Sequence, residues 1–218
     1  MSFTLWYHPY SGYGQKAATA AYVLALPFVL RVVDHADDAL MAEFRRISPF
    51  GKMPALVDAE GRAFHESSIV IEWMDLHAGG GRLIPRDPEA ALEARTVDRV
   101  IDHYAGGPMN RIVLEKFRPE GSRDPFGSEQ DARVVAQAWD WLEDRLADGR
   151  PWGAGETFTL ADCAAAPILT YARRLVPFGD RPRLRAYHRR LMERPSFRRA
   201  LEDAAPFGDL MPAPAPVD

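Results

Sequence analysis

Apolar positions in the first 80 residues alternate between strand-like and helix-like spacing. Short apolar or β-branched runs predict strands, and apolar residues three or four positions apart predict helices. The predicted strands are Phe3–Tyr7, Phe28–Val33, Ala55–Val57 and Arg62–His65, and the predicted helices are Gln15–Leu26, Asp38–Arg46 and Ser67–His77. The order βαβαββα predicts an α/β domain, a mixed sheet with helices packed on it.

Strand signals almost disappear after residue 81. The proline-rich stretch Ile84–Pro88 predicts a stiff linker, and the rest of the chain shows helical spacing. Gly106-Gly107-Pro108 predicts a break or kink in the first of these helices, and Ser128 with Asp131 predicts the start of a later one. We therefore expect a domain over residues 1–80, a linker over 81–87 and an all-α helical domain over 88–218.

Composition and charge exclude several kinds of function for this chain. The chain of 218 residues has a net charge of −4, so bulk charge attracts neither nucleic acid nor an anionic membrane. Its single cysteine, Cys163, excludes an internal disulfide and suits a reducing compartment. The apolar run Ala17–Leu30 is interrupted by Thr19 and Pro27 and is too short to span a bilayer. The six histidines show no metal-ligand spacing. We expect a soluble cytoplasmic protein without a metal.

Lys52-Met53-Pro54 precedes the third predicted strand. An X-Pro bond can be cis at modest cost, and such a turn can point the preceding N–H and C=O outward, where an extended ligand backbone pairs with them. Lys52 is placed to bind a carboxylate at the other end of that ligand. Taken alone, the local sequence favours a turn proline and a solvated lysine.

Glu66-Ser67 stands at the start of an apolar-faced helix. Free N–H groups at a helix N-terminus bind anions, so Ser67 suits a carboxylate, and the Glu66 carboxylate suits an ammonium group. Together they fit the α-amino-acid end of a γ-glutamyl group. A plain helix-capping serine explains Ser67 equally simply, and taken alone the motif favours it.

The loop after the first strand carries several hydroxyl groups. Ligands of open α/β sheets bind where such loops enter a helix. A hydroxyl that donates a hydrogen bond to a bound thiol favours the nucleophilic thiolate and lowers the thiol pKa. The hydroxyls belong to Tyr7, Tyr10, Ser11 and Tyr13, and His8 adds an imidazole. Packing is the alternative role for each tyrosine.

Thr159 and Asp162 have the spacing of a capping box at a helix start in the second domain. We interpret both as structural. Cys163 follows directly and is expected to be a small buried residue. A nucleophilic Cys163 is the alternative, although no histidine partner is evident in the sequence.

These segments, taken in order, resemble the cytosolic glutathione transferases over nearly the full length of the chain. The first strand and active-site loop are matched by Leu5–Pro9 and Ser11–Tyr13, the cis-proline segment by Ser48–Leu56, the γ-glutamyl motif by His65–Ile71, the helix-capping motif by Phe158–Asp162 and the C-terminal helices by Arg183–Tyr187 and Arg194–Phe197.

The resemblance implies a thioredoxin-like N-terminal domain, a helical C-terminal domain and a homodimer. It implies that glutathione is the co-substrate, that Met53 next to Pro54 pairs through its backbone with the cysteinyl unit, and that Lys52 binds the glycyl carboxylate. Glu66 and Ser67 would bind the γ-glutamyl end. An acceptor pocket for the second substrate would include Tyr10, His103, Tyr104 and Met109.

The resemblance leaves the thiol-activating group open between two residues. Ser11 matches the catalytic hydroxyl of serine-type members, and Tyr7 lies near that of tyrosine-type members. Asp98 can reach a ligand ammonium in a partner subunit, but we expect a solvated helical carboxylate.

Three functions fit this sequence. The first is conjugation of glutathione to hydrophobic electrophiles. The second is a glutathione-dependent isomerase, dehalogenase or lyase acting on one metabolite, and the third is a non-catalytic ligand-binding protein. The presence of Lys52, Glu66 and Ser67 favours the first two.

Overall fold

A computed structural model of the chain describes residues 2–210, with only the backbone described for 208–210. Within them lie two compact units, one formed by residues 2–88 with 193–210 and the other by 89–192. The predicted boundaries at residues 80 and 88 remain predictions, and residues 211–218 of the predicted helical domain lie outside the described part of the chain.

The first unit is built on four short strands. They are β1 (Thr4–Tyr7), β2 (Val29–Val32), β3 (Ala55–Val57) and β4 (Ala63–His65), in the order β2-β1-β3-β4. β1 is parallel to β2 and antiparallel to β3, and β3 is antiparallel to β4. The helices of this unit are α1 (Gly12–Leu24), α2 (Asp38–Ile47) and α3 (Ser67–His77). The fold class predicted from the sequence is confirmed.

The sheet is covered by helices. Trp6 of β1 lies in a buried cluster with Met41 and Phe44 of α2, and α1 packs against α3. A later helix of the same unit, α9 (Pro195–Ala204), packs on α1, where Asp203 accepts a hydrogen bond from the Tyr22 hydroxyl. A 3₁₀ segment, Ala205–Leu210, follows α9.

The second unit is helical. Its helices are α4 (Pro88–Val100), α5 (Gly107–Leu114), α6 (Pro125–Arg145), α7 (Leu160–Ala172) and α8 (Pro182–Glu193). α7 is buried along its whole length. Trp139 of α6 is fully buried and donates its indole N–H to the Val176 carbonyl at 3.0 Å.

The break or kink predicted at Gly106-Gly107-Pro108 takes the form of a π-helical turn. This turn, over Ile101–Gly106, joins α4 to α5. The Gly107 N–H bonds to the Asp102 carbonyl, and this wider turn accommodates Pro108, which has no N–H to donate.

Ser128 does not cap a helix. α6 begins at Pro125, and the Asp124 carboxylate accepts the Gly127 N–H at 2.8 Å, so Ser128 lies inside the first turns. Proline at the first helical position is favoured because its missing N–H would be unpaired there.

Candidate active site

The strand register brings three chain segments to one edge of the sheet. Trp6 of β1 pairs with Ala55 of β3, and Ala55 pairs with His65 of β4. The loop after β1, the loop before β3 and the start of α3 after β4 therefore meet at this edge. These segments contain Ser11, Lys52–Pro54 and Glu66-Ser67, the predicted glutathione-binding residues of the first unit.

The Met53–Pro54 peptide bond is cis. The buried Ser48 hydroxyl donates to the Lys52 carbonyl at 2.7 Å and fixes the preceding turn, in which Gly51 has a φ of 60°. The His8 backbone N–H donates to the Met53 sulfur at 3.1 Å and joins this turn to the β1 loop. The Lys52 side chain is exposed, as a residue that binds a ligand carboxylate must be.

The N-terminus of α3 has an unusual backbone. Glu66 has φ 65° and ψ 121°, a conformation that costs a residue with a side chain of order 1 kcal/mol or more. Strained residues of this kind cluster at ligand sites. The Glu66 side chain is exposed. Ser67 is the first residue of α3 and is buried. The free N–H groups at such a helix start attract an anion.

Ser11 caps α1. Its hydroxyl oxygen accepts the Gly14 N–H at 3.1 Å, and its backbone N–H donates to the His8 carbonyl at 2.7 Å. The cap uses the hydroxyl as an acceptor, so the hydroxyl proton stays available for donation to a ligand. The partial positive charge of the helix N-terminus also favours a thiolate beside it.

Tyr7 lies beneath the start of α1 and is 1% exposed. A Cβ atom on Gly14 would lie 2.4 Å from the Tyr7 Cδ2 atom, so the ring and the helix backbone are in direct contact. Burial, reinforced by Tyr22 and Asp203, raises the pKa of the Tyr7 hydroxyl well above its usual value. Tyr7 therefore packs between β1 and α1, with its side chain buried.

The predicted acceptor-pocket residues lie in both units. Tyr10 follows β1 in the first unit. In the second unit, His103 and Tyr104 are exposed on the π-helical turn, and Met109 is buried in α5.

One residue beside the site was not singled out as a site residue by the sequence reasoning. Lys16 of α1 is fully buried and donates from Nζ to the Ser68 hydroxyl at 2.9 Å, beside the α3 N-terminus. A lysine within a helix normally signals solvent exposure, so the sequence held no sign of this contact. At the other end of α3, away from the site, Asp75 is also buried and accepts the N–H groups of Gly81 and Leu83, which fixes the chain after α3.

The second unit contains a capping box at Thr159 and Asp162. Asp162 is completely buried and accepts from the Tyr187 hydroxyl at 2.6 Å and from the Gly153 N–H at 2.8 Å. Cys163 is fully buried beside it.

The expectation that Asp98 is solvated was wrong. Asp98 is 1% exposed, and its carboxylate accepts from the Arg99 guanidinium at 2.8 Å. The same guanidinium donates to Asp102 at 2.5 Å. Asp98 is therefore part of an ion network inside the second unit.

No cluster of metal-binding side chains occurs among the residues that the structure describes. In the same part of the chain, no helix has the length and apolarity needed to cross a bilayer.

Comparison with known proteins gives two family matches. Residues 10–77 match the glutathione S-transferase N-terminal domain, and residues 125–190 match the glutathione S-transferase C-terminal domain. The chain is 29% identical over 189 residues to the uncharacterized GST-like protein YibF of Escherichia coli K12, covering 85% of this chain and 87% of that protein. It is 29% identical over 184 residues to a maleylpyruvate isomerase of Ralstonia, and this match covers 79% of this chain and 82% of that protein.

A solved structure gives the same fold. The glutathione S-transferase of Methylobacillus flagellatus, determined with glutathione bound, superposes with a TM-score of 0.84 at 25% sequence identity. The match covers 91% of this chain and 98% of that structure.

Proposed function

Since the chain belongs to the glutathione S-transferase family, we propose that it conjugates the glutathione thiolate to hydrophobic electrophiles, a detoxification reaction. The observation that carries this proposal is the convergence of Ser11, the Lys52–Pro54 turn and Glu66-Ser67 at one edge of the sheet. These groups match the three parts of the tripeptide.

Each part of glutathione has a partner in this proposal. The Met53 backbone, held by the cis peptide bond, pairs with the cysteinyl unit, and Lys52 binds the glycyl carboxylate. Ser67 and the N-terminus of α3 bind the γ-glutamyl carboxylate, and Glu66 binds its ammonium group. This arrangement puts the thiol near the N-terminus of α1.

The Ser11 hydroxyl donates a hydrogen bond to the sulfur and stabilises the thiolate. Its capping bond supports this role, because accepting from Gly14 orients the oxygen while leaving its proton to be donated. The burial of Tyr7, which is 1% exposed beneath α1, argues against Tyr7 in the same role.

Binding of glutathione is measured by isothermal titration calorimetry and by retention on glutathione resin. We expect binding by the wild-type protein and a loss of about tenfold or more in affinity for Ser67→Ala. The matched control is Ser122→Ala, an exposed serine of the second unit outside every proposed contact. A folded wild-type protein that does not bind glutathione overturns the proposal.

A second candidate is a glutathione-dependent isomerase, which uses the same tripeptide site with a more polar acceptor site. It is favoured by the similarity to a maleylpyruvate isomerase. Turnover of maleylpyruvate without net loss of glutathione supports the isomerase, and formation of a thioether adduct with an aromatic electrophile supports conjugation. Binding of glutathione without either reaction supports a ligand-binding protein.

We also propose a homodimer in the cytoplasm. Phe50 is 77% exposed, and Ile69 and Leu76 are exposed two turns apart on one face of α3. Exposed apolar residues on one helix face are typical of subunit interfaces, and this supports the proposal. Light scattering should give the mass of two chains for the wild type and of one chain for Phe50→Ser. Phe117→Ser, which removes an equally exposed phenylalanine of the second unit, should leave the dimer intact.

A further inference from the structure

The sheet has an open edge at β2. Within the described part of the chain, β2 pairs with β1 alone, in the strand order β2-β1-β3-β4. The Val29 N–H donates to the Phe3 carbonyl at 3.0 Å, so the backbone groups of Val29 face β1. Only every second residue of an edge strand bonds to its neighbour, and Leu30 and Val32 therefore turn their N–H and C=O groups outward. No described residue bonds to these outward groups.

The side chains of β2 do little to protect this edge. Val29 is 59% exposed, and Leu30 and Val32 are partly exposed. Proteins commonly protect such edges with proline or lysine, since a row of unpaired N–H and C=O groups recruits another strand. β2 contains neither residue type, and its one charged side chain, Arg31, is paired with Glu43 at 3.3 Å. The edge is therefore open to a strand from another chain.

An apolar cleft of about 1140 Å³ adjoins this edge. It lies within the first unit, between the end of α1, β2 and α9. Leu26, Phe28 and Leu30 form its apolar wall. Side chains two residues apart lie on the same face of a strand, so a strand added beside β2 would lay every second side chain against this wall. We call the outward edge of β2, at Leu30 and Val32, together with this cleft the edge groove.

Both ends of the edge groove are acidic. The carboxylates belong to Glu202 and Asp203 in the cleft and to the exposed residues Asp34, Asp37 and Asp38 beyond the end of β2. Arg199 also lines the cleft, where its guanidinium lies 4.5 Å from the centre of the Tyr22 ring. Carboxylates therefore outnumber arginines around the edge groove. A segment with cationic side chains on both sides of its apolar residues complements this charge.

A second copy of this chain is a poorer occupant of the edge groove. Two β2 edges paired antiparallel about a twofold axis would bring the acidic cleft of one copy next to residues 34–38 of the other. Carboxylates would then face carboxylates at both ends, which disfavours the pairing. The acidic ends oppose self-association and leave the edge open to a basic segment.

We propose that the edge groove binds an extended segment of a partner protein, in which apolar residues at alternate positions lie between lysine or arginine residues. The segment adds a strand to the sheet through the outward backbone groups of Leu30 and Val32. Its apolar side chains enter the cleft, and its cationic side chains pair with the carboxylates at the two ends. None of the residues proposed to hold glutathione lies on β2, so this inference does not depend on the proposed function.

The probe is the peptide acetyl-Lys-Val-Thr-Val-Lys-amide, and amide hydrogen exchange followed by NMR on the full chain detects where it binds. Without peptide, the Leu30 and Val32 amides should exchange fast and the Val29 amide slowly, because only Val29 bonds to β1. Saturating peptide should slow exchange at Leu30 and Val32 by at least about tenfold.

Two matched peptides separate backbone pairing from charge. One is methylated on the backbone nitrogens of its valine and threonine residues, which removes the donors that pair with β2. The other has glutamate in place of both lysines. Each should bind at least about tenfold more weakly than the probe in calorimetric titration. Equal binding of all three peptides overturns the proposal.

Val32→Pro tests the edge from the side of the protein. Proline is tolerated on an edge strand where the lost N–H faces outward, so the variant removes one donor and keeps the ladder with β1. Peptide affinity should fall by about tenfold, and glutathione affinity should stay within about twofold. Leu92→Ser is the matched control, since Leu92 of α4 is as exposed as Val29, at 59%, and lies in the second unit. It should keep full affinity for the peptide.

The remaining outcomes are also decisive. Should Val32→Pro fail to fold, the three peptides on the wild-type protein decide the question. Peptide binding that leaves exchange at Leu30 and Val32 unchanged overturns the proposal. Slow exchange of these amides without peptide, together with an assembly larger than a dimer, shows that a second copy covers the edge and also overturns it. Loss of glutathione binding alone contradicts the proposed function and leaves this inference standing.

Discussion

At the scale of single residues, the hydroxyl groups of Ser11 and Tyr7 differ in their burial and in their hydrogen bonding. Ser11 stands at a helix N-terminus with a proton to donate, whereas Tyr7 is buried under Gly14. The sequence left the choice between them open because both residues lie in the same loop region. Burial distinguishes them, and burial depends on how α1 packs over β1.

Ser11→Ala should therefore raise the pKa of the bound glutathione thiol and reduce kcat by about 10²-fold or more, the usual effect of losing one such donor. Tyr7→Phe should change the thiol pKa little. Ultraviolet absorbance of the bound thiolate at 240 nm, followed against pH, measures both variants. A greater effect of Tyr7→Phe on the thiol pKa would contradict the assignment.

Glu66 combines its proposed binding role with a strained backbone. Glycine can adopt the φ of 65° observed at Glu66 without cost, whereas alanine at the same position keeps the backbone strain. Glu66→Gly should be more stable than Glu66→Ala by about 1 kcal/mol in urea unfolding. Both should bind glutathione equally weakly, since both lack the carboxylate. Equal stability of the two variants would show that this backbone stores no strain.

At the scale of secondary-structure elements, caps set where the helices begin. α1 starts at Gly12 because Ser11 caps it, and α6 starts at Pro125 because Asp124 does. The sequence predicted the first of these helices three residues late and placed the second cap at Ser128. Several residues able to cap precede each helix, and the local pattern does not rank them.

The contact of α1 with β1 tolerates no side chain at Gly14. Gly14→Ala places a Cβ 2.4 Å from Tyr7 Cδ2 and 2.8 Å from Tyr7 Cβ, so the helix or the strand must move. We expect a loss of roughly 1–3 kcal/mol in the free energy of unfolding and weaker glutathione binding, because Ser11 moves with the helix.

Gly121→Ala is the matched control for this prediction, because nothing lies within 4 Å of a Cβ at that position. It should change stability by less than about 0.5 kcal/mol. Thermal and urea unfolding followed by circular dichroism measure both variants. Equal stability of Gly14→Ala and Gly121→Ala would contradict the close approach.

At the scale of the whole molecule, stability depends on buried ionisable groups that the helical pattern does not reveal. His188 of α8 is 7% exposed, and its Nε2 atom lies 3.1 Å from the Thr170 hydroxyl oxygen of α7. Burial, with a contribution from Arg173, lowers the pKa of His188 from 6.5 to about 4. The native protein holds this imidazole neutral.

Because the folded-state pKa lies below the unfolded one, the stabilisation is present above pH 6.5 and is lost as the pH falls toward 4. Between pH 7 and pH 5 the free energy of unfolding should fall by about 2 kcal/mol from this group. His188→Gln, which does not titrate, should show a correspondingly shallower decline in urea unfolding. Parallel pH curves for the wild type and the variant would contradict the prediction.

The sequence by itself determined the fold class, the order of the elements and the segments that we propose bind the tripeptide. Those features are encoded locally, in the spacing of apolar residues and in short motifs such as Lys52-Met53-Pro54. The strand Ala55–Val57 and the helix Ser67–His77 are predicted with the bounds that the structure shows.

Only the tertiary structure decided how those segments meet. The register that aligns Trp6, Ala55 and His65 joins parts of the chain far apart in sequence, and so does the contact of His8 with Phe207. Burial of Lys16 and Asp98 likewise contradicts what their residue types suggest. Side-chain environments depend on partners contributed by other elements, and periodicity along one element carries no information about those partners.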